Sequence, residues 1–307
     1  MPKKEIIKEE LKEILGAAVK ERERLARYTT FKIGGPAEFL ASPADEKSLR
    51  KLVIYSRLRN MPLTVLGGGS NILIKDKGVK GVVVLFDSPF FKDIKVEGAS
   101  INAGSGASLA KLCKAACENS LSGLEPLAGI PGTVGGALIG NAGSRNDEDG
   151  WTSIGDFVES VLVCDPEGEY RLLKKNELGF DYRKSNLDGY IAVQATLKLK
   201  KGRKEEIKNR IAYYLKRKKA AQELKYPNAG CVFKNPQDHG KTSGQLIDEC
   251  GLKGRRINGA QVSRKHANFI INLGKATSGD VLKLIDLIKK DVKKVHGVSL
   301  EEEIKII

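Results

Sequence analysis

Histidine, tryptophan and long apolar runs are scarce in this chain of 307 residues, which contains three histidines and one tryptophan. The histidines, His239, His266 and His296, are scattered and form no HExxH pattern, so we expect no metal site. Five cysteines, an odd number in a long chain, argue against a disulfide framework. No apolar run approaches the length of a membrane span, and the N-terminus, MPKKEIIKEELKEILG, has the pattern of an amphipathic helix rather than a signal peptide. These absences predict a cytoplasmic protein with no membrane partner.

Two familiar nucleotide-binding motifs are incomplete. Gly104-Ser105-Gly106 follows a strand pattern and precedes a helix pattern, but Leu109 stands at the third glycine position of a dinucleotide-binding fingerprint. Gly240-Lys241-Thr242 has the form of a P-loop end, but Asn235 replaces the upstream glycine. Neither segment therefore predicts a phosphate site of those two classes.

The chain is strongly basic, with a net charge of +15, which suits acidic partners such as nucleic acid or phosphate-bearing small molecules. One hypothesis is therefore a nucleic-acid-binding protein, which a salt-dependent shift with random DNA would support. The lysines, however, are spread along the chain beside glutamates, and no basic platform with interleaved aromatic residues supports this hypothesis. We expect no nucleic-acid partner.

Apolar periodicity predicts helices and strands along a chain whose length suits about two domains. Helical spacing in EKSLRKLVIYSRLRNM and SGDVLKLIDLIKKDVKKVHG predicts two amphipathic helices, the second ended by Gly297. β-Branched residues around turn dipeptides predict a strand-rich zone at about 81–200, and the charged segment KEEIKNRIAYYLKRKKAAQ predicts a helix that opens the third zone. The ending EEEIKII predicts a short strand.

Glycine is concentrated in two segments. Gly129–Ser144, GIPGTVGGALIGNAGS, has six glycines in sixteen residues and no charge, and Gly67-Gly68-Gly69-Ser70-Asn71 follows a strand pattern. Glycine lets backbone N–H groups approach a ligand closely, and successive N–H groups bind anions without a cationic side chain. The pair predicts a cradle for a phosphate or a cofactor, with a structural bend as the alternative for either segment alone.

Six motifs occur in the order found in the UDP-N-acetylenolpyruvoylglucosamine reductase family, which this chain resembles from about residue 22 onward. They are TTFKIGGPA (29–37), LGGGSNIL (66–73), AGIPGTVGGA (128–137) with Asn141-Ala142-Gly143, Tyr182-Arg183-Lys184-Ser185, AGCVFKNP (229–236) and LEEEI (300–304). The resemblance implies an α+β protein: a vanillyl-alcohol-oxidase-type FAD-binding fold of two α+β lobes, and a C-terminal α+β substrate-binding domain. The implied parts are an amphipathic helix at 1–21, FAD-binding lobes at 22–80 and 81–202, a substrate-binding domain at 203–299 and a strand at 300–307 that carries a catalytic glutamate.

The resemblance also implies an activity. A member of this family is an NADPH-dependent flavoenzyme that reduces the enolpyruvyl group of UDP-N-acetylglucosamine-enolpyruvate to UDP-N-acetylmuramate in peptidoglycan precursor synthesis. FAD and NADPH are the implied cofactors, the UDP-sugar enolpyruvyl ether is a small-molecule substrate, and we expect a monomer.

Catalytic roles are implied for Arg183, which stabilises the enolate formed by hydride addition, for Cys231 as proton donor and for Glu303, which polarises the enolate or orients the proton. The implied FAD-binding residues are Gly67, Gly68, Gly69, Ser70, Asn71, Gly129, Ile130, Gly132, Thr133, Gly136, Asn141 and Gly143. The implied substrate-binding residues are Tyr182, Ser185, Lys234 and Asn235.

The chain departs from the family pattern at several places. Cys231 stands where the family usually has serine, and Ser144-Arg145-Asn146 replaces a common Ala-Tyr-Gly. QELKYPN precedes AGCVFKNP where a Gln-Pro-Leu-like run is usual, and no residue matches the tyrosine that closes over the substrate in one branch. An oxidase of the same flavin fold is the alternative within the class. Anaerobic reduction by NADPH, followed by a choice between O₂ and the enolpyruvyl substrate, separates the two.

Overall fold

The computed structural model describes residues 3–146 and 150–307. Its internal contacts divide the chain into two units. The first contains the residues up to Arg22, Glu38–Gly68 and Lys80–Arg217, and the second contains Glu23–Ala37, Gly69–Val79 and Lys218–Ile307. The five-part division expected from the resemblance stays a prediction, and residues 1–2 of its N-terminal helix and 147–149 of its second lobe lie outside the described residues.

The described residues form eight α-helices: α1 Lys3–Leu15, α2 Glu46–Leu58, α3 Pro89–Lys92, α4 Leu109–Glu118, α5 Val134–Ile139, α6 Lys204–Ala221, α7 Ser243–Glu249 and α8 Ser278–His296. Short 3₁₀ turns cover Leu25–Tyr28, Glu125–Leu127, Ile154–Asp156 and Lys175–Glu177.

The strands of the same residues are β1 Val19–Glu21, β2 Ala37–Ala41, β3 Leu63–Val65, β4 Ile72–Leu73, β5 Val79–Val84, β6 Ile94–Glu97, β7 Ser100–Gly104, β8 Leu121–Ser122, β9 Gly143–Ser144, β10 Thr152–Ser153, β11 Val158–Cys164, β12 Tyr170–Lys174, β13 Ile191–Lys198, β14 Lys200–Lys201, β15 Asn228–Cys231, β16 Arg256–Ile257, β17 Ala260–Val262, β18 Phe269–Asn272 and β19 Lys305–Ile306.

The first unit contains two main sheets. A four-stranded sheet has the order β1-β2-β5-β3, and Leu49 and Leu52 of α2 share a buried core with Phe39 of β2 and Val82 of β5. A five-stranded antiparallel sheet has the order β12-β11-β13-β7-β6, and its core includes apolar residues of α4 and α5. The glycine-rich α5 is therefore fixed to a large sheet.

The second unit is built on the antiparallel sheet β15-β18-β17-β16, whose core also buries the apolar face of α8. The chain end returns to this unit as β19, which pairs in parallel with β4. The carboxylate of Asp76 accepts hydrogen bonds from the backbone N–H (3.0 Å) and the hydroxyl (2.7 Å) of Ser278, so the segment that carries β4 is held at the start of α8.

Helix ends follow local sequence signals. Asp45 and Ser48 form a capping box at the start of α2, and Thr277 and Asp280 form one at the start of α8. Gly297 ends α8 with a φ of 72°, a left-handed conformation that favours glycine. The two predicted amphipathic helices, the charged helix α6 and the final strand are thereby confirmed.

In residues 3–146 and 150–307, no helix combines the length and the apolar character needed to cross a membrane. The same residues contain no cluster of three or more His, Cys, Asp or Glu side chains arranged to hold a metal ion.

Candidate active site

A cavity of about 230 Å³ lies in the first unit beside the glycine-rich segments. Its walls come from the end of β3 and the residues after it, from the residues that follow β5, from the last residue of α3 and from the turn between β7 and α4. The start and the last residue of α5 and the start of β13 complete them. Gly67, Gly68, Thr133 and Gly136, four of the predicted cofactor residues, are among those lining it. The structure thus brings together part of both glycine-rich segments around one space.

Two of the glycines at this cavity are required because a side chain would collide with a neighbouring segment of the chain. A Cβ on Gly68 would lie 2.7 Å from the Cα of Gly132, and a Cβ on Gly67 would lie 2.7 Å from the Oγ1 of Thr133. Gly136 differs, because the atom nearest to its Cβ position is the Thr133 Oγ1, at an ordinary 3.6 Å. Of these glycines, Gly136 is the one whose missing side chain leaves space in the cavity rather than between two segments.

Ser105 is a cavity residue that the sequence reasoning missed. It is 2 % exposed, it lines the cavity, and its hydroxyl has no hydrogen-bond partner in the described residues. A buried hydroxyl without a partner is costly unless a ligand supplies one. The sequence signal that could have indicated this residue is Gly104-Ser105-Gly106, a glycine-flanked serine between a strand pattern and a helix pattern.

Gly69, Ser70 and Asn71 belong to the second unit. Gly69 has a φ of 60°, and a Cβ there would lie 2.1 Å from the carbonyl oxygen of Tyr28, so local packing alone requires this glycine. Asn71 donates its side-chain N–H to the Glu303 carbonyl at 3.1 Å. Their predicted role in cofactor binding stays a prediction, and the structure gives Gly69 and Asn71 a role in holding their own unit together.

The other predicted cofactor residues, Gly129, Ile130, Gly132, Asn141 and Gly143, do not line the cavity. The buried Asn141 uses its side-chain amide on the main chain: it donates to the Asp181 carbonyl at 2.9 Å and accepts from the Gly155 N–H at 3.0 Å. It thereby connects the end of α5 to the segment that contains Arg183.

Arg183 lies in a tight turn of the first unit, residues 181–184, which we call the arginine turn. Asp181 and Lys184 exchange backbone hydrogen bonds of 3.0 and 3.1 Å across it, and Arg183 has a φ of 57°, which is unusual for a residue with a side chain. The hydroxyl of the buried Ser185 donates to the Ile139 carbonyl at 3.0 Å, so this predicted substrate residue anchors the turn to α5.

Cys231 and Glu303 lie on neighbouring segments of the second unit. The Glu303 N–H donates to the carbonyl of Val232 at 2.8 Å, and Phe233 and Glu302 form an antiparallel bridge. Because Val232 directly follows Cys231, the ending of the chain runs back beside the strand that carries the thiol. Two of the three predicted catalytic residues, 72 positions apart in the sequence, are thus close in the fold.

Lys234 and Asn235 follow on the same segment. The Lys234 ammonium forms an ion pair with the Glu301 carboxylate, and the Asn235 side-chain oxygen accepts the Ser243 N–H at 3.1 Å at the start of α7. Both predicted substrate residues therefore also stabilise the ends of local elements.

Lys218, at the C-terminal end of α6, is a second residue that the sequence did not single out. Burial lowers the pKa of this half-buried lysine to about 8, and an electrostatic interaction with Cys231 opposes that shift. The Cys231 thiol therefore has a cation near it whose charge changes close to neutral pH.

The lowered pKa of Lys218 has a consequence for stability. In the unfolded chain this lysine keeps its proton up to about its ordinary pKa of 10.5, whereas in the folded protein its pKa is about 8. The unfolded state then binds more protons in this window, so the free energy of unfolding should rise between pH 8 and 10.5 relative to that of a Lys218→Gln variant. Urea denaturation of both proteins at several pH values measures this difference, with the exposed Lys219→Gln as the control. Parallel pH curves for wild type and Lys218→Gln would contradict the assignment.

Two family models match the chain. Residues 37–173 match the model described as FAD binding domain, and residues 222–307 match UDP-N-acetylenolpyruvoylglucosamine reductase, C-terminal domain. The predicted α+β FAD-binding fold and the FAD cofactor are confirmed by the first match.

The cavity suits FAD on two physical grounds. The partnerless hydroxyl of Ser105 offers a polar contact, and Gly136 leaves the wall open. Asp87 and Lys92 also line this space, with their side chains paired at 2.8 Å. These residues would hold part of the dinucleotide.

Alanine at Gly136 should separate cofactor binding from folding. The added methyl group meets no atom closer than 3.6 Å, and alanine is favoured over glycine in a helix, so thermal stability of the cofactor-free protein should not fall. The methyl group would occupy the cavity wall and should weaken FAD binding by about tenfold, the cost of one lost close contact of 1–2 kcal/mol. Equilibrium titration with FAD measures the effect. Gly140→Ala, at the end of the same helix and outside the cavity, is the matched control. Equal FAD affinity in the two variants would show that this wall does not face the cofactor.

Curated relatives match nearly the whole chain. UDP-N-acetylenolpyruvoylglucosamine reductase of Desulforamulus reducens is 41 % identical over 97 % of this chain and 96 % of its own, and that of Caldanaerobacter subterraneus is 43 % identical over 99 % and 98 %. The crystal structure of the MurB reductase from Thermus caldophilus superimposes with a TM-score of 0.80 at 39 % identity, covering 93 % of this chain and 98 % of that one. The chain is therefore an FAD-dependent oxidoreductase, and it belongs to the UDP-N-acetylenolpyruvoylglucosamine reductase family.

Proposed function

We propose that this protein reduces the enolpyruvyl group of UDP-N-acetylglucosamine-enolpyruvate with NADPH and yields UDP-N-acetylmuramate for peptidoglycan synthesis. The observation that carries the proposal is the name shared by relatives that are 41–43 % identical over 97–99 % of this chain. We further propose that the enzyme works as a monomer in the cytoplasm.

FAD held at the cavity lined by Ser105 and Gly136 would supply the hydride-transfer chemistry between NADPH and the enolpyruvyl double bond. The overall change adds one hydride and one proton across that bond and converts NADPH to NADP⁺. Each of the catalytic residues has a task set by this change.

Arg183 stabilises charge. Hydride addition to the terminal carbon of the double bond moves an electron pair toward the neighbouring carboxylate, which becomes an enolate. A guanidinium group can bind both oxygens of that group through two parallel N–H bonds, and the bond strength grows as charge accumulates there. The arginine turn supports this task because it fixes the backbone from which the side chain extends.

Cys231 supplies the proton. A thiol has a reference pKa of about 8.5 and is largely protonated at neutral pH, so it can donate to the carbon that bears the carboxylate. Glu303, whose backbone is held beside Val232, polarises the enolate or orients the proton. Lys218 contributes positive charge near Cys231 and would stabilise the thiolate that remains after the proton is donated.

Rapid mixing under anaerobic conditions tests the proposal. We expect a yellow protein whose FAD is released by heat or acid, faster bleaching with NADPH than with NADH, and recovery of colour when UDP-N-acetylglucosamine-enolpyruvate is added. Mass spectrometry should show a product two hydrogens heavier than the substrate. Recovery of colour with O₂ but not with the enolpyruvyl substrate would identify an oxidase instead.

A further inference from the structure

The single tryptophan of the chain, Trp151, stacks on the proposed catalytic arginine. The guanidinium carbon of Arg183 lies 5.0 Å from the centre of the indole ring, which is within the range of a cation–π interaction. Trp151 is 38 % exposed, so it is not a core residue. It lies five positions after Ser144-Arg145-Asn146, the segment that departs from the family pattern.

The indole is itself fixed by its surroundings. Its Nε1 donates to the Ser153 hydroxyl at 3.0 Å, and a Cβ on Gly143 would lie 2.5 Å from the same nitrogen. β9 and β10 pair directly beside it, with Ser153 opposite Gly143. In addition, the Asn146 side chain donates to the Thr152 hydroxyl at 2.6 Å. The tryptophan therefore stands on a short, internally bonded hairpin.

Further contacts restrict Arg183. Its guanidinium also lies over the Tyr182 ring, 5.4 Å from the ring centre, and its Nη1 donates to the Gly143 carbonyl at 3.3 Å. The two aromatic rings pack edge to face with each other at 5.8 Å. An arginine side chain has about 2 kcal/mol of rotamer entropy to lose when it is ordered. Here much of that ordering is done by the protein before substrate arrives.

We propose that Trp151 is a positioning residue that holds Arg183 ready for the enolpyruvyl carboxylate; this inference rests on the proposed function. The two interactions are compatible because they use different parts of the guanidinium. The indole attracts the positive charge through the face of its ring, whereas a carboxylate accepts hydrogen bonds from the N–H donors in the guanidinium plane. A guanidinium held beside the indole can thus bind a carboxylate at its edge, and geometry fixed in advance lowers the barrier of the step it serves.

Half-reaction kinetics of the FAD-loaded enzyme test the proposal. Trp151→Leu should lower the limiting rate of reoxidation by the enolpyruvyl substrate by roughly 3- to 30-fold, the range of one cation–π contact. Trp151→Phe restores an aromatic face and should stay within about threefold of the wild type. Reduction of the flavin by NADPH should be the same in both variants, and Phe90→Leu, which removes an exposed ring elsewhere in the first unit, is the control for a general loss of packing.

Combination with Arg183→Lys distinguishes positioning from a structural effect. Lysine cannot stack as a plane, so Trp151→Leu should have little added effect in that background. An equal effect of Trp151→Leu in both backgrounds, or equal rates for the leucine and phenylalanine variants, would overturn the proposal. If Arg183→Lys itself leaves the reoxidation rate unchanged, the proposed role of Arg183 is wrong. That outcome is distinct from a failure of the Trp151 proposal, which concerns only the effect of the tryptophan variants.

Fluorescence gives a readout that does not depend on catalysis. Because the chain has one tryptophan, its emission reports Trp151 alone. Arg183→Met should expose more of the indole to water and shift its emission to the red, whereas Arg171→Met, on β12 of the same unit, should not. Unchanged emission in the Arg183 variant would show that the stacked arrangement is not the one populated in solution.

Discussion

Replacing Arg183 by lysine should slow reoxidation of the flavin by the enolpyruvyl substrate by about 10²-fold or more, although the positive charge is kept. Removal of one donor to a developing oxyanion typically costs about 10²–10³ in rate. Lysine lacks the planar fork, so it loses the paired hydrogen bonds to the carboxylate. It also loses the stacking on Trp151 and the bond from Nη1 to the Gly143 carbonyl.

Stopped-flow measurement of the two half-reactions checks this expectation. Reduction by NADPH and the FAD content should stay near wild-type values, because none of the contacts of Arg183 described above involves a residue that lines the cavity. Arg171→Lys is the matched control, since Arg171 is an exposed arginine of the same unit whose guanidinium pairs with the buried carboxylate of Asp165. If both half-reactions fell equally in Arg183→Lys, the residue would serve NADPH binding or the fold instead of the enolate.

Local sequence signals were sufficient for the helices and for part of the cavity. The apolar spacing of α8 and its capping residues act within the segment, so they are visible without knowledge of the rest of the chain. The same holds for the glycines after β3, where the strand and the turn are adjacent. The reason for each glycine was only partly predictable. A side chain at Gly69 would collide with the carbonyl oxygen of Tyr28, which lies 41 positions earlier in the chain.

Long-range relations were beyond reasoning from local pattern. The pairing of Glu302 with Phe233 depends on the return of the chain end across the unit, and only the order of family motifs indicated that Cys231 and Glu303 act together. In the sequence, Ser105 is only part of an incomplete dinucleotide fingerprint. Its burial and its partnerless hydroxyl are tertiary properties, so local pattern could not indicate them. Trp151 carried no signal in the sequence, since its contact with Arg183, 32 positions later, is a tertiary property.

The thiol of Cys231 should be replaceable by a hydroxyl but not by a methyl group. A positioned general acid contributes about 10²–10⁴-fold, so Cys231→Ala should slow reoxidation by the enolpyruvyl substrate by a factor in that range. Cys231→Ser restores a donor of similar size, which is also the residue usual in the family, and should keep substantial activity. Reduction by NADPH should be nearly unchanged in both variants. Cys250→Ala removes another half-buried thiol of the second unit, one whose pKa is raised by burial, and is the control for a packing loss.

The reoxidation rate should also show a solvent isotope effect in D₂O that is larger in wild type than in the alanine variant, since only the wild type moves a thiol proton in that step. An alanine variant that reoxidises at the wild-type rate would mean that water or another side chain delivers the proton.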